Sequence, residues 1–502
     1  MCTPPTPAQD SGAIEAVYQQ HKYVSDAVSA ACVSLRDGTT DVCSGGVYYA
    51  ALLNATVAAG APCNRSHLTA ALTRTFKLKF QLGLFDPVDD QPYWRVPLSA
   101  LNSSSSQALN RLAVLESMAL LKNDGAVLPL ARGKRVAVIG PLATSTSVMP
   151  GNYLGQVCEH ETHIGNSSCL DSVFAAVAAA NVGGVTTTAP GMHNVTTTST
   201  DEFAAAVAAA QEADVVVYVG GNDESVEGEM HDRTAIDLPG AQHALVAALA
   251  AVGKPLVVVL LSGSSLDVSA ERDSAAVGGI LFAGYPGTFG GWAIAQTLFG
   301  GNDHLGGKLA TTWYPSDYVQ QINMTDMELD TGVGRGYRFY TGVPVFPFGW
   351  GLSLTTFSYI PAAGGWPSAA DAATALTTIA GPRPLLRSLQ YAVQVTNNGA
   401  ATGDDVVFLF VEPMATPTQP RNRLLRQLLD YQRVHLAPGA SATVAFNVTA
   451  RSLAMVDRDT GDVVSAPGTF RIVVTNGAGA RLAQDVVLRG EQTTLEAFPA
   501  RQ

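Results

Sequence analysis

Between positions 223 and 233 stand Asp223, Glu224, Glu227, Glu229, His231, Asp232 and Arg233. Carboxylates and imidazoles trade protons when their surroundings tune their pKa values, so this stretch is a candidate site for chemistry. What precedes it strengthens that reading. Residues 215–219, Val-Val-Val-Tyr-Val, are an unbroken apolar run, and such a run is sheltered only in a parallel strand covered on both faces. Gly220 and Gly221 are expected to end the strand. Ligands of open α/β sheets bind at the carboxyl ends of strands, where these acids follow. On spacing alone, a run of acids in a loop is more often solvated surface.

The elements that must position this loop fall into three blocks. Up to about residue 86 the chain reads as two to three helices. Leu68, Leu72, Phe76 and Phe80 recur every four positions on one helical face, with Ser66 as the expected N-cap, and Gly83 and Pro87 stop the run. This block has little strand sequence and cannot be a complete sheet-based domain. From 102 to 359, helix and strand patterns alternate: helix 108–121, strand 135–139, helix 200–213, strand 214–219, helix 240–252, strand 255–261, helix 270–276, strand 279–282 and helix 290–299. That alternation implies a mainly parallel sheet with helices on both faces. The turn after Ile139, Gly-Pro-Leu-Ala-Thr-Ser, matches neither nucleotide-binding glycine pattern, and Pro141 removes an amide that a phosphate cradle needs. A Gly/Pro/Ala-rich stretch through Pro384 then reads as linker or insertion. Alternating runs at 391–396, 406–411, 442–448 and 469–474, broken by turns such as Pro438-Gly439, indicate an antiparallel sandwich.

Composition narrows the partners. At 502 residues the chain is too long for one core and implies two or three domains. A formal charge of −12 argues against nucleic acid and anionic membrane surfaces, and no run of about 18 apolar residues suggests a membrane span. Cys2, Cys32, Cys43, Cys63, Cys158 and Cys169 show no metal-ligand spacing, which argues against structural zinc; they are compatible with three disulfides. Seven N-x-S/T sequons, at Asn54, Asn64, Asn102, Asn166, Asn194, Asn323 and Asn447, suggest a secreted glycoprotein. Residues 1–9 lack the basic and apolar regions of a signal peptide.

Several segments carry a family resemblance: LLKNDGAVLPL (120–130), VAVIGPLA (136–143), GNYLG (151–155), VEGEMHDR (226–233), GYPGTFGG (284–291), LFGGNDHLGGKLATTWYP (298–315) and YRFYTGVPVFPFGWGLSLTTFSY (337–359). In this order they resemble glycoside hydrolase family 3, most closely its β-xylosidase/α-arabinofuranosidase branch. The resemblance implies an α/β chain in four parts. A helical remnant of a (β/α)8 barrel covers 1–100, an α/β sandwich with a mainly parallel sheet 101–359, a linker or insertion 360–385, and a fibronectin type III-like β-sandwich 386–495. It also implies an extracellular or cell-wall enzyme that removes terminal β-xylosyl, arabinosyl or glucosyl residues from plant or algal oligosaccharides. Such an enzyme retains configuration and needs no metal or organic cofactor.

Two carboxylates do that work, one attacking the anomeric carbon and one protonating the leaving oxygen; a retaining pair stands roughly 5–5.5 Å apart. The family's nucleophile segment falls on residues 9–14, which aligns Asp10 with the nucleophile. Its acid/base segment falls on 226–233 and points to Glu229, with Glu227 as the alternative. His231 is read as a hydrogen-bonding loop residue, and Asp232 and Arg233 as an ion pair that shapes the loop. Tyr337, Phe339, Tyr340, Phe346, Phe348 and Trp350 are read as packing between domains. Only nine residues precede Asp10, at most about 30 Å of extended chain, where the family has most of its barrel. The expectation is therefore a truncated protein of reduced activity. Its opening helices would expose an apolar patch that invites a partner chain or self-association. The competing reading is a non-catalytic secreted carbohydrate-binding or interaction protein.

Overall fold

A computed structural model of the chain describes residues 12–36, 46–158, 166–229, 231–377, 388–415 and 424–498. Two compact units divide it, residues 1–103 and 104–502. In the first, helices α1 (Ala13–Gln19), α2 (Ala27–Arg36), α3 (Gly46–Thr56) and α4 (Arg65–Gln81) surround a small core of Ile14, Ala30, Ala31, Leu35, Ala51, Ala55 and Ala71. The Cys32–Cys63 disulfide staples that core. Helix α4 is capped by Asn64, not Ser66: the Asn64 side chain accepts from the Ser66 and His67 amides, while His67 Nδ1 accepts from the Asn64 amide. Ser66 already lies inside the first turn, where its own amide needs an acceptor, so the residue just before the helix takes the cap. The four-residue repeat on α4 does not face the core. Leu72, Phe76 and Phe80 are 48%, 47% and 64% exposed, and it is the small Ala71 that packs inward.

The second unit is built on a six-stranded sheet, and the reason is visible in its strands. Strands β1 (Ala119–Asn123), β2 (Arg135–Ile139), β3 (Val185–Ala189), β4 (Val215–Gly221), β5 (Leu256–Leu261) and β6 (Val277–Phe282) lie in the order β1-β6-β5-β4-β2-β3. All pairings are parallel except β1 with β6. Side chains alternate across a strand, so Val217, Val219, Val257, Val259, Leu261 and Leu281 enter one core and Val216, Tyr218, Leu256, Val258, Leu260 and Ile280 the other. Helices α5 (Ser104–Ser117), α6 (Val173–Ala180) and α10 (Gly290–Leu298) cover the first face. Helices α7 (Phe203–Glu212) and α8 (Gln242–Ala250) cover the second, with the short α9 (Ser269–Asp273) leading into β6.

Three local expectations are corrected. The helix expected over 108–121 ends at Ser117, because Leu120 and Leu121 are buried into opposite cores, a strand geometry that one helix face cannot supply. Gly220 and Gly221 do not end β4 but pair with Leu260 and Leu261. Gly221 has φ 131°, and a Cβ there would sit 1.9 Å from the Leu261 carbonyl oxygen, so a glycine is required to continue the ladder. Helix α6 and strand β3 lie where no element was expected.

A β-sandwich completes this unit. A five-stranded sheet has the order β11 (Gln427–Leu436), β10 (Gly403–Ala415), β15 (Gly468–Thr475), β16 (Arg481–Arg489), β8 (Leu376–Thr377). It faces β12 (Ser441–Thr449), β9 (Ser388–Asn397) and β7 (Phe357–Pro361) across a core that includes Tyr391, Val393, Val407, Leu409, Phe446 and Ile472. A small sheet of β13 (Met455–Val456), β14 (Val463–Ser465) and β17 (Thr493–Glu496) closes one end. The described part of the 360–385 stretch carries the end of β7, a helix, Ala369–Thr374, and β8, all built into the sandwich. The outer face of β10 is buried as well: Phe408 and Phe410 pack on Tyr337 and Phe348, whose rings stack at 4.2 Å. Phe346 and Trp350 lie against Trp313 and the α/β core, so these aromatics pack and present no platform.

Candidate active site

Because β4, β5 and β6 run parallel, the loops that leave their carboxyl ends emerge on one edge of the sheet. The loop after β4 carries the acids, that after β5 carries Ser262, Gly263 and Ser264, and that after β6 carries Tyr285. These three loops meet on Glu227. Its Oε1 accepts from the Gly263 amide at 2.6 Å, Tyr285 Oη at 2.8 Å and Ser262 Oγ at 3.0 Å. Its Oε2 accepts from Ser264 Oγ and from Arg233 Nη1 at 3.2 Å. The Glu227 and Arg233 side chains are each only 11% exposed.

The electrostatic outcome follows. Burial alone pushes the Glu227 carboxyl up, but the hydrogen bonds from Ser264, Tyr285, the Gly263 amide and Ser262 outweigh it and hold the group below the ordinary carboxylate range. Burial, together with the neighbouring Glu227 carboxylate, pushes the Tyr285 phenol well up, which keeps its proton available for donation. Glu227 is thus an anion fixed among donors, poorly suited to giving up a proton. Arg233 also donates to the Ser265 and Ala235 carbonyls. The expected Asp232–Arg233 ion pair is corrected accordingly: Arg233 turns inward to Glu227, and Asp232 is exposed.

Glu229 lies in a different setting two residues on. Gly228 and His231 form an antiparallel bridge, with the His231 amide donating to the Gly228 carbonyl at 3.1 Å. That tight turn lifts Glu229 to the tip, exposed, where Tyr153 Oη donates to its Oε2. His231 Nδ1 donates to the Glu224 carbonyl at 2.8 Å, and Asp223 Oδ1 accepts from the Ser225 amide at 2.9 Å. These bonds fix the loop backbone beneath the tip, the role read for His231. Asp10 lies outside the described residues.

The donors around Glu227 and the Tyr153 contact were not singled out from the sequence. A weak signal existed for them. Ser262-Gly263-Ser264 follows the apolar run 256–261, Tyr285 lies in the GYPGTFGG segment and Tyr153 in GNYLG. The first two are turns directly after buried strands, whereas Tyr153 lies in the long loop that follows β2. Among the described residues, groups of three metal-capable ligand atoms occur elsewhere, at Asp303, His304 and His435 and at Glu116, His304 and Asp404.

Comparison with known proteins agrees with this architecture. Residues 118–354 match the glycosyl hydrolase family 3 C-terminal domain, and residues 405–478 match the fibronectin type III-like domain. The chain is 36% identical over 499 residues to a probable exo-1,4-beta-xylosidase of Aspergillus terreus, covering 98% of this chain and 61% of that protein. It is 35% identical over 496 residues to an exo-1,4-beta-xylosidase of Emericella nidulans, with coverages of 98% and 62%. Among solved structures, a family 3 exo-beta-xylosidase in complex with a xylobiose aziridine activity-based probe superposes with a TM-score of 0.81 at 28% identity, over 98% of this chain and 62% of that one. A β-glucosidase from Erythrobacter marinus gives 0.73 at 27%, over 96% and 63%. The chain therefore spans about three fifths of the length of these relatives. With its α/β sheet, its β-sandwich and their two matched domains in register with these relatives, the chain belongs to glycoside hydrolase family 3.

Proposed function

We propose that this chain contributes the acid/base side of a retaining exo-β-xylosidase, with Glu229 as the group that protonates the leaving oxygen. The observation that carries this is the contrast at the β4 loop. Glu227 is held ionised by Ser262, Gly263, Ser264, Tyr285 and Arg233, whereas Glu229 stands exposed at the tip with Tyr153 against it. Glu227 is then the residue that sets the loop, and Glu229 the one free to meet a substrate. Asp10 is the proposed nucleophile: its carboxylate displaces the leaving group from the anomeric carbon as Glu229 gives its proton to the departing oxygen. Water, deprotonated by Glu229, then releases the sugar. The names of the exo-1,4-beta-xylosidase relatives support a terminal β-xylosyl residue as the unit removed.

An oxidising, extracellular setting is part of the proposal. It is supported by the Cys32–Cys63 and Cys158–Cys169 disulfides and by six exposed sequon asparagines, Asn54, Asn64, Asn102, Asn194, Asn323 and Asn447. Among the described residues no helix is long and apolar enough to cross a membrane. The exposed Leu72, Phe76 and Phe80 of α4 support a further covering element or a second chain over the first unit.

The test is turnover of an aryl β-xyloside by the purified chain beside Glu229→Gln. Release of the aryl group that the substitution abolishes supports the reading. Xylo-oligosaccharide binding without turnover supports the carbohydrate-binding alternative instead.

A further inference from the structure

Away from the acidic loop, the joint between the α/β layer and the sandwich gathers two histidines around one buried carboxylate. Asp404, at the start of β10, is 1% exposed, and His435 of β11 sits directly across from it in the β10–β11 ladder. His435 Nδ1 donates to Asp404 Oδ1 at 2.5 Å, which leaves Nε2 as the free ring nitrogen. His304, in the loop after α10, lays its ring on that of His435 with centroids 4.5 Å apart and planes 25° from parallel. Its Nδ1 is buried without a hydrogen-bond partner, 3.6 Å from Asp404 Oδ2, and its Nε2 lies 3.7 Å from Asp303 Oδ1.

Each imidazole therefore turns its Nδ1 edge toward Asp404. A carboxylate behind a histidine fixes its tautomer and raises the basicity of the other nitrogen, the outer-shell arrangement of histidine metal sites. Asp404 itself is not available as a ligand, because Arg433 Nε holds its Oδ2 at 2.6 Å. That contact also neutralises the arginine's charge beside the histidines. Asp303 is the exposed carboxylate on the open side, and one ligand atom from each of Asp303, His304 and His435 lies within 4.8 Å of the others.

We propose that Asp303, His304 and His435 form a binding site for a divalent transition ion, Zn2+ by the chemistry of its donors, clamping β11 of the sandwich to the α/β layer. Two imidazoles and one carboxylate are the donor set that borderline ions take and that Mg2+ and Ca2+, which take oxygen, do not. Ligands on tetrahedral zinc stand about 3.4 Å apart at bond lengths near 2.1 Å, so the ligand atoms close by about an ångström. The His435 ring also tilts out of its stack on His304, because an imidazole lone pair lies in the ring plane and two near-parallel rings do not aim at one ion. The exposed Asp303 and the partly exposed His435 have room to make that movement. The backbone beneath is already fixed: Asn302 Oδ1 accepts from the His304 amide at 3.0 Å, and Arg433 Nη2 donates to the His304 carbonyl at 2.9 Å. Linear spacing concealed the site, because His435 follows His304 by some 130 positions.

The experiment is calorimetric titration of the chelator-stripped full chain with ZnCl2, paired with thermal melts with and without the ion. One saturable site is expected, with a rise in Tm on Zn2+, and MgCl2 should produce neither. His435→Ala and Asp303→Asn should each weaken Zn2+ binding by about tenfold or more and remove the Tm rise. Asp303 is exposed and makes no contribution to the core, so Asp303→Asn decides the matter if His435→Ala fails to fold. Absence of saturable Zn2+ binding, equal binding by Mg2+, or an unchanged affinity in Asp303→Asn would each overturn the proposal.

Discussion

Glu227 and Glu229 are separated by one glycine, yet they occupy opposite physical situations. The first is drawn down onto the strand ends and encircled by donors from three loops; the second is raised on a turn into solvent with one tyrosine beside it. Two carboxylates of equal intrinsic acidity are thereby given different surroundings, one tied among donors and one exposed. The difference teaches that a cluster of acids in a sequence is not a cluster of equivalent groups. What distinguishes them is the set of partners that folding brings from distant segments.

The comparison breaks most sharply if the tip is changed. Glu229→Gln, on the proposed mechanism, should lower kcat on aryl β-xylosides by about 10²–10⁴-fold, as loss of a general acid does, with an unchanged melting curve. Changing the base of the loop should do the reverse in kind. Glu227→Gln leaves Arg233 facing a neutral amide among 262–264 and should cost about 3 kcal/mol of stability in urea melts, the lower end for breaking a sheltered ion pair. Some turnover would be lost with it, through the displaced loop.

Smaller changes sharpen the contrast. Tyr285→Phe removes one of several donors to Oε1 while Ser262 and Gly263 remain, so about 1 kcal/mol is expected by the same melts. Acid titration should resolve the smallest effect. The Glu227 pKa is lower folded than unfolded, so its contribution is present above the ordinary glutamate pKa and fades as pH falls through the depressed folded value. Stability of the parent chain should therefore decline on the acid side of about pH 4.3 more steeply than that of Glu227→Gln, as followed by denaturation at stepped pH.

Much of the α/β layer was legible because buried parallel strands announce themselves. Residues 215–219 and 256–261 are apolar at every position, since alternate side chains enter two cores and neither face meets water. Strand β3, Val-Thr-Thr-Thr-Ala, escaped notice for the opposite reason: it is an edge strand, mostly exposed, and its sequence carries no apolar run. Strand β1 was hidden inside a helical pattern, since Met118, Leu120 and Leu121 continue the apolar content of α5 and only antiparallel pairing with β6 sets them apart. The α4 repeat misled in another way, being regular without being buried.

The candidate site was legible in its acids and not in its partners. The loop after β4 stands where a buried strand followed by acids placed it. Nothing local, however, tells Glu227 from Glu229. That distinction rests on Ser262, Gly263, Ser264 and Tyr285, which reach Glu227 only because β5 lies beside β4 in the sheet and β6 beside β5. Without that geometry Arg233 reads as the partner of its neighbour Asp232, whereas in the fold its partner lies six residues back.

The leaving-group dependence of kcat/KM for Glu229→Gln, across aryl β-xylosides from poor to highly activated phenols, tests the central claim most directly. If Glu229 is the proton donor, the variant should lose little on the most activated phenol and progressively more as the phenol grows more basic, while Glu227→Gln keeps the parent's slope. A loss for Glu229→Gln that is the same on every phenol, or a steepened slope for Glu227→Gln instead, would contradict the assignment.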